Sequence, residues 1–392
     1  MQEHLRIAMF GHKRMPSHEG GIEIVVEELA VRMVRMGHEV TCYNRKGHHV
    51  SGKQFDEERL SEYRGVRLKG LPTLDKKGLA ALTSSFAGSI LTAFGRYDVV
   101  HIHAEGPAAF CWLPHWMGKR VIVTVHGLDW ARAKWKGSFG SKYIRFGERM
   151  AARFADEIIV LNQGTQEYFK EKYGRETRVL PNGVTRPQIR PARLIEEKFG
   201  LQKDSYILYL GRIVPEKGGH YLCEAFKKLH TDKKLVIAGG SSDSQAYFDE
   251  LKQLAAGDER ILFTGFVDGQ LREELYSNAY AFVLPSDLEG MPLSLLEAMS
   301  YGAHCIFSDI PENREVAGDY ARYFPVGDVK ALRERLKLAI SFRESEKNAD
   351  GEREIAYIKE KFSWEPVVDS TLDSYKIAIR KVRKCAVSQK MG

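Results

Sequence analysis

Residues 6–45 read RIAMFGHKRMPSHEGGIEIVVEELAVRMVRMGHEVTCYNR. The first six residues are a short, continuous apolar run that ends on glycine. From Ile22 onward apolar residues recur every three to four positions, the spacing of one helix face. Gly37 follows the last turn, as a helix stop should, and EVTCYNR opens a second apolar run. The order is strand, helix, strand.

Runs of the same kind continue along the chain. GVRLKGL (65–71), DVVHIHA (98–104), RVIVTVHG (120–127), EIIVLN (157–162) and TRVLPNG (177–183) complete the first half. YILYLGR (206–212), KLVIAGG (234–240), ILFTGF (261–266), AFVLPS (281–286), HCIFSD (304–309) and RYFPV (322–326) make the second. Most are continuous rather than alternating, the mark of strands covered on both faces of a parallel sheet. Their alternation with amphipathic stretches predicts an α/β fold of doubly wound units.

At 392 residues and 43% hydrophobic content the chain is long enough for two cores. Three prolines, Pro181, Pro187 and Pro191, cluster in PNGVTRPQIRPARLIEEKFG between two complete strand sets. Two Rossmann-like domains are expected, residues 1–185 and 190–365. The tail reads as a helix from Trp364, about 366–385, with no sheet of its own, and is expected to pack back on the first domain. Open α/β sheets bind ligands outside the carboxyl ends of their strands. Two such sheets facing each other would enclose a deep cleft.

The formal charge of +7 suits an anionic partner: a nucleotide, a phospholipid surface or a nucleic acid. Five scattered cysteines with no CxxC pair fit free thiols in a reducing compartment. The amino terminus lacks a charged-then-apolar signal, so a cytoplasmic protein is expected. Residues 78–95, GLAALTSSFAGSILTAFG, are uncharged but rich in Ser, Thr, Gly and Ala. They read as a helix buried in the core rather than a membrane span.

Candidate site residues lie at strand ends. YLGRIVPEKGG (209–219) offers Gly211, Arg212 and Lys217 near a helix start, two cations for a diphosphate; the plain alternative is a solvated loop. Gly20-Gly21 precedes a helix, where glycine lets a ligand approach backbone amides, or simply makes a turn. It is not a GxGxxG fingerprint. His126 ends a strand at the ligand edge, where it can meet a sugar hydroxyl or be an ordinary satisfied histidine. His12 and His18 read as polar loop residues. His101 and His103 alternate and so face one side of a strand, without enough neighbours for a metal site.

SDLEGMPLSLLEAMSYG (286–302) holds Glu289 and Glu297 about a helix start. Pro292 suits the first helical position, and the amides of Leu293 and Ser294 then lie free at a positive helix end. Glu297, just over one turn deeper, suits a pair of ribose hydroxyls. Glu289 could serve a second polyol in the same way.

Together these segments resemble the retaining GT-B glycosyltransferases of family 4, the glycosyl transferases group 1. The likeness covers nearly all of the chain. EGMPLSLLE (289–297) carries it most specifically; Gly211, Arg212 and Lys217, the pair Gly20-Gly21, and His126-Gly127 follow in the family's order. The first domain also resembles bacterial rhamnosyltransferases of surface-polysaccharide assembly. The resemblance implies a carboxy-terminal donor domain and an amino-terminal acceptor domain. In it Arg212 and Lys217 neutralise the donor diphosphate and Glu297 holds the ribose. Glu289, Gly290, Met291 and Pro292 hold the donor sugar, and His126 contacts it near the reacting carbon. Gly20 and Gly21 approach phosphate or acceptor, and Gly265, Phe266 and Val267 lie along the base.

The implied reaction moves a sugar from a nucleoside diphosphate, such as dTDP-rhamnose or a UDP-sugar, to a glycan or lipid-linked saccharide. The resemblance implies retention, with same-face attack. No Asp-x-Asp occurs in the chain, so no metal or cofactor is expected. A nucleotide-sugar 2-epimerase on the same fold is one alternative. A basic membrane- or nucleic-acid-binding module is the other, although no nucleic acid is expected as partner. Its candidate segment is RAKWKGSFGSKYIRFGERMAARF (132–154), an amphipathic helix that either packs on the core or docks on anionic lipid at the inner face of the membrane.

Overall fold

A computed structural model describes residues 4–17, 20–47, 60–74, 79–132, 139–241, 244–341 and 344–388, without the side chains of 344–349 and 382–388. The chain divides into two compact units. One runs to Asn182 and takes in the segment from Trp364 onward; the other spans Gly183–Ser363.

The first unit is built on an eight-stranded sheet in the order β3-β4-β2-β1-β5-β6-β7-β8. Its strands are β1 (Arg6–Phe10), β2 (Glu39–Arg45), β3 (Glu62–Tyr63), β4 (Val66–Leu71), β5 (Val99–His103), β6 (Arg120–Val125), β7 (Glu157–Val160) and β8 (Arg178–Val179). β1, β5 and β6 are fully or almost fully buried, as their unbroken apolar runs require. All neighbours pair in parallel except β3 with β4. The sequence reading omitted β3. Two residues are too short for a periodic signal, and the hairpin turns through Arg64 and Gly65, at φ 47° and 83°.

Helices α1 (Gly21–Arg35), α2 (Leu79–Phe94), α3 (Trp112–Trp116), α4 (Phe139–Phe154) and α5 (Gln163–Tyr173) follow strands of this sheet. The last helix, α14 (Trp364–Ser388), belongs to the same unit and packs on α1, β6 and β7. Tyr375 on it donates to or accepts from His101 Nδ1 at 2.7 Å, and Lys381 pairs with Glu157 at 2.5 Å.

Helix α2 corrects the expectation of a core helix. Its buried residues are Ser84, Ser85, Gly88, Ser89, Thr92 and Ala93. Leu79, Phe86, Leu91 and Phe94 are exposed. The inversion has a local cause. Ser84, Ser85 and Thr92 return their hydroxyls to carbonyls three or four residues back, so their burial leaves no donor stranded. Gly88 lets the helix sit directly on Phe10, where a Cβ would stand 2.9 Å from the ring. No described helix is long and apolar enough to cross a membrane.

The second unit carries six strands, all parallel, in the order β11-β10-β9-β12-β13-β14. They are β9 (Tyr206–Leu210), β10 (Lys234–Ala238), β11 (Ile261–Gly265), β12 (Ala281–Leu284), β13 (His304–Ser308) and β14 (Arg322–Phe324). Tyr209, Phe226, Leu222, Ile237, Val283 and Leu332 share one buried cluster on one side of that sheet. The helices that matter below are α9 (Gly269–Asn278) and α10 (Leu293–Ser300).

Candidate functional site

In the second unit the chemistry-bearing residues gather at the carboxyl ends of β9, β11 and β12. β9 runs into Gly211 and Arg212, and the Tyr209 hydroxyl donates to the Arg212 carbonyl at 2.9 Å, which fixes this turn. A 3-10 turn, Pro215–Lys217, then presents Lys217. It ends on Gly218 at φ +66°, where a Cβ would lie 2.0 Å from the Pro285 carbonyl oxygen. Only glycine fits there, because the turn presses against the end of the segment leaving β12.

That contact brings Lys217 to Glu289. The ammonium donates to both carboxylate oxygens, at 2.5 and 2.7 Å, and the Ser286 hydroxyl donates to the first at 2.6 Å. Lys217 and Glu289, separately placed on diphosphate and sugar by the sequence, are thus one another's partners.

Pro292 is the residue before α10, not its first residue. Its ψ of 113° is extended, and Leu293 opens the helix. The carbonyl of Pro292 accepts from Leu295 and Leu296, so the Leu293 and Ser294 amides precede the first intrahelical bonds. Gly290, Met291 and Pro292 form the approach to this helix end, with Met291 buried.

Glu297 sits on α10 beside Arg272 of α9, with Nη1 3.4 Å from Oε1. The carboxylate holds the Arg272 guanidinium above its ordinary range, and burial opposes it less strongly. Tyr276, also on α9, is pushed well up by burial and then by Glu297; its ring stacks on Tyr301 at 5.3 Å. Nothing in the sequence singles out Arg272. It lies in GQLREELYSN, a segment with no periodic signal, and its partner is on another helix. β11 ends on Gly265 at φ 73°, and Phe266 and the buried Val267 lead from there to α9.

The first unit has its own cluster at the carboxyl ends of β1, β5 and β6. His126 is buried, and its Nε2 lies 3.1 Å from His103 Nδ1. The His101 and His103 rings, on one side of β5 as expected, lie 4.1 Å apart. His101 bonds Thr124 Oγ1 through Nε2 at 2.7 Å. Burial pushes His126 down to about 4 and His101 down to about 3, so all of these rings are neutral at pH 7. Ala104, which follows, is held at φ 80°, a strained position for a residue with a side chain.

His12 departs from its reading as a polar loop residue. It is buried, bonded through Nε2 to Asn44 Oδ1 at 2.9 Å, and pushed by burial to about 4. His18 lies outside the described residues. Gly20 is extended, with φ −168°, and Gly21 begins α1. Glu23 occupies this helix end: its Oε1 accepts from the Lys13 amide at 2.9 Å, and its Oε2 would lie 2.9 Å from a Cβ on Gly20. Burial pushes the Glu23 carboxyl up, but Lys13 and its amide outweigh this and hold it below its ordinary range. A carboxylate beside Gly20 leaves that helix end poorly suited to phosphate.

The loop after His126 is tied from below. Glu105 Oε2 accepts from the Asp129 amide at 2.9 Å. Glu148 accepts from Trp130 Nε1 at 2.9 Å, Tyr168 at 2.9 Å and Lys172 at 2.8 Å. Burial, then the nearby Asp129 and Glu148 carboxylates, push Glu105 well up from its ordinary range.

Two family models fit the chain in succession. Residues 19–186 match Glycosyltransferase Family 4 and residues 192–353 match Glycosyl transferases group 1. An uncharacterised glycosyltransferase of Methanocaldococcus jannaschii is 25% identical over 96% of this chain and 99% of its own. The UDP-Gal:α-D-GlcNAc-diphosphoundecaprenol α-1,3-galactosyltransferase of Escherichia coli is 30% identical over 56% of this chain and 59% of its own. Among solved structures, Anabaena HepE in complex with UDP and glucose aligns with a TM-score of 0.76 at 18% identity, over 95% of this chain and 100% of that one. This last likeness is one of fold: two parallel-sheet α/β domains, as in GT-B glycosyltransferases.

Proposed function

We propose the following for a chain that belongs to the glycosyl transferases group 1 family and is a glycosyltransferase: it moves a sugar from a nucleoside-diphosphate donor to a glycan or lipid-linked saccharide in polysaccharide biosynthesis, with retention of configuration and without a metal. The observation that carries this reading is the Lys217–Glu289 pair beside the start of α10, with Glu297 of that helix paired to Arg272 of α9.

The second unit takes the donor and the first takes the acceptor. Arg212 and Lys217 meet the diphosphate, with the Leu293 and Ser294 amides at a positive helix end. These groups stabilise the charge that grows on the departing phosphate, which is the main catalytic task. Glu289, with Gly290, Met291 and Pro292, meets the sugar. Glu297 accepts from the ribose hydroxyls, Arg272 orients it, and Phe266 and Val267 flank the base. Two ribose hydroxyls use both carboxylate oxygens, which favours a UDP-sugar over a dTDP-sugar. His126, neutral and held by His103, meets the sugar near its reacting carbon; the Glu23 carboxylate makes phosphate an unsuitable ligand for Gly20 and Gly21, which face the acceptor instead.

In the transfer, the bond from the anomeric carbon to the diphosphate oxygen breaks and a bond to the acceptor oxygen forms on the same face. The acceptor's hydroxyl proton goes to the leaving phosphate. The test is a panel of nucleotide sugars with EDTA present, with and without lipid-linked or oligosaccharide acceptors, read by mass spectrometry. A glycosylated acceptor with retained configuration is expected. An epimerised nucleotide sugar formed from donor alone would establish the epimerase instead.

A further inference from the structure

Helix α2 presents its large apolar side chains outward. Leu79, Phe86, Ile90, Leu91 and Phe94 fall on the half of the helix opposite Ser85, Gly88, Ser89 and Thr92. Phe94 is 69% exposed. An apolar stripe of this kind on a folded unit marks an interaction surface.

The stripe continues onto the turn Pro107–Phe110 and onto α3, which pack beside α2, and α3 in turn meets α4. Phe86 meets Phe110 edge-on at 5.2 Å. Trp112 lies 4.8 Å from Trp116, and Trp116, 66% exposed, meets Phe154 of α4 at 5.8 Å. On α4, Lys142, Phe146, Arg149 and Arg153 recur at helical spacing and are exposed. Arg153 lies over the Phe154 ring, 5.3 Å from its centre.

The exposed charge on the three helices has one sign. The described residues of α2, α3 and α4 include a single acid, Glu148, and it is buried. Beside Phe94 opens a cavity of about 580 Å³ lined by Arg6, Arg67, Lys69 and Arg96 with one carboxylate, Glu39, which Arg67 engages at 3.3 Å; Arg6 pairs with Asp98 at 2.8 Å. A second copy meeting this face about a two-fold axis would set cations against cations. An anionic bilayer satisfies both features: acyl chains take the apolar stripe, headgroup phosphates take the cations, and an exposed tryptophan sits at the level between them.

We propose that the face formed by α2, α3 and α4 of the first unit docks on an anionic lipid bilayer, with α2 in the interface plane and Phe86, Ile90, Leu91 and Phe94 inserted. This moves the hydrophobic anchor from the 132–154 segment, for which lipid docking was one of two sequence alternatives, to α2, and leaves α4 the electrostatic part. It does not depend on the donor site assigned above.

The test is flotation of the full chain with vesicles of phosphatidylcholine alone or mixed with phosphatidylglycerol. Binding to the mixed vesicles only, falling with salt, is expected. The exposed double variant Leu91→Ser/Phe94→Ser should lose at least about tenfold in vesicle binding, while its melting temperature stays as in the wild type and Phe94→Trp still binds. Arg149→Ser/Arg153→Ser should weaken binding and flatten its salt dependence. Equal recovery with both vesicle types, no recovery, or unaltered binding of the α2 variant overturns the proposal. So does a wild-type dimer that Leu91→Ser/Phe94→Ser converts to monomer, which would assign the face to a second copy.

Discussion

Lys217 and Glu289 are joined by a two-pronged ion pair in which the side chains are only 14% and 6% exposed. A diphosphate arriving at Lys217 therefore competes with a carboxylate already in place. Removing each partner should have opposite effects on the two halves of the donor. Lys217→Ala should weaken nucleoside diphosphate binding by about tenfold or more, the worth of one charge-assisted contact. Glu289→Ala should leave diphosphate binding equal or tighter, since Lys217 is released, yet cut turnover of the sugar nucleotide. Calorimetric titration beside steady-state rates separates these outcomes. Equal loss of diphosphate affinity in both variants would contradict the division of roles.

The Arg272–Glu297 pair leads to a different expectation. Arg272→Met leaves the Glu297 carboxylate without its orienting partner, so the donor KM should rise by about tenfold while kcat holds. The penalty should shrink with a 2′-deoxy donor, which has fewer hydroxyls for Glu297 to hold. An equal penalty on both donors would show that Arg272 acts on stability or elsewhere on the nucleotide, not through Glu297.

Much of this was legible because it is local. The continuous runs in β1, β5 and β6 announce burial on both sides, and Gly37 marks the end of α1 in the chain itself. Lys217, Glu289 and Glu297 stand out because glycine and proline punctuate the loops around them. What escaped is non-local. Arg272 matters only because α9 lies against α10. His103 was visible as the partner of His101 along β5, but its bond to His126 comes from the pairing of β5 with β6, where His103 sits opposite Thr124. Helix α2 misled for another reason: Ser and Thr can be buried when they bond their own helix, so apolar content alone does not say which face turns inward.

Gly218→Ala should be severe. It adds strain at φ +66° and sets a methyl group 2.0 Å from the Pro285 carbonyl oxygen, so the Lys217 turn must move away from the Glu289 segment. A loss of about 2–4 kcal/mol in stability, read by urea unfolding, should accompany loss of nucleotide binding. Gly257→Ala is the control: it also has positive φ, at 83°, but nothing lies near its Cβ, so it should cost only about 1 kcal/mol and leave binding intact.

The buried histidines set the acid limit of the first unit. His12 and His126 are pushed by burial to about 4, and His101 to about 3. In the unfolded chain they titrate near 6.5. Below that value the unfolded state binds more protons, so their stabilisation is present above about pH 6.5 and is lost as the pH falls toward 4. Shifts of this size amount to on the order of 3 kcal/mol for His12 and His126 and about 5 kcal/mol for His101. His101→Gln should flatten the decline in unfolding free energy between about pH 6.5 and 4, measured by urea titration across that range. An unchanged slope would mean that His101 is not held neutral.

The most direct test of a diphosphate-sugar site in the second unit is a calorimetric titration of the full chain with UDP, GDP, ADP and dTDP, repeated on Lys217→Ala. The expected result is saturable binding of at least one of the ribonucleotides, above dTDP, weakened about tenfold or more by the substitution. Binding of none, or affinity that Lys217→Ala leaves unchanged, would contradict it.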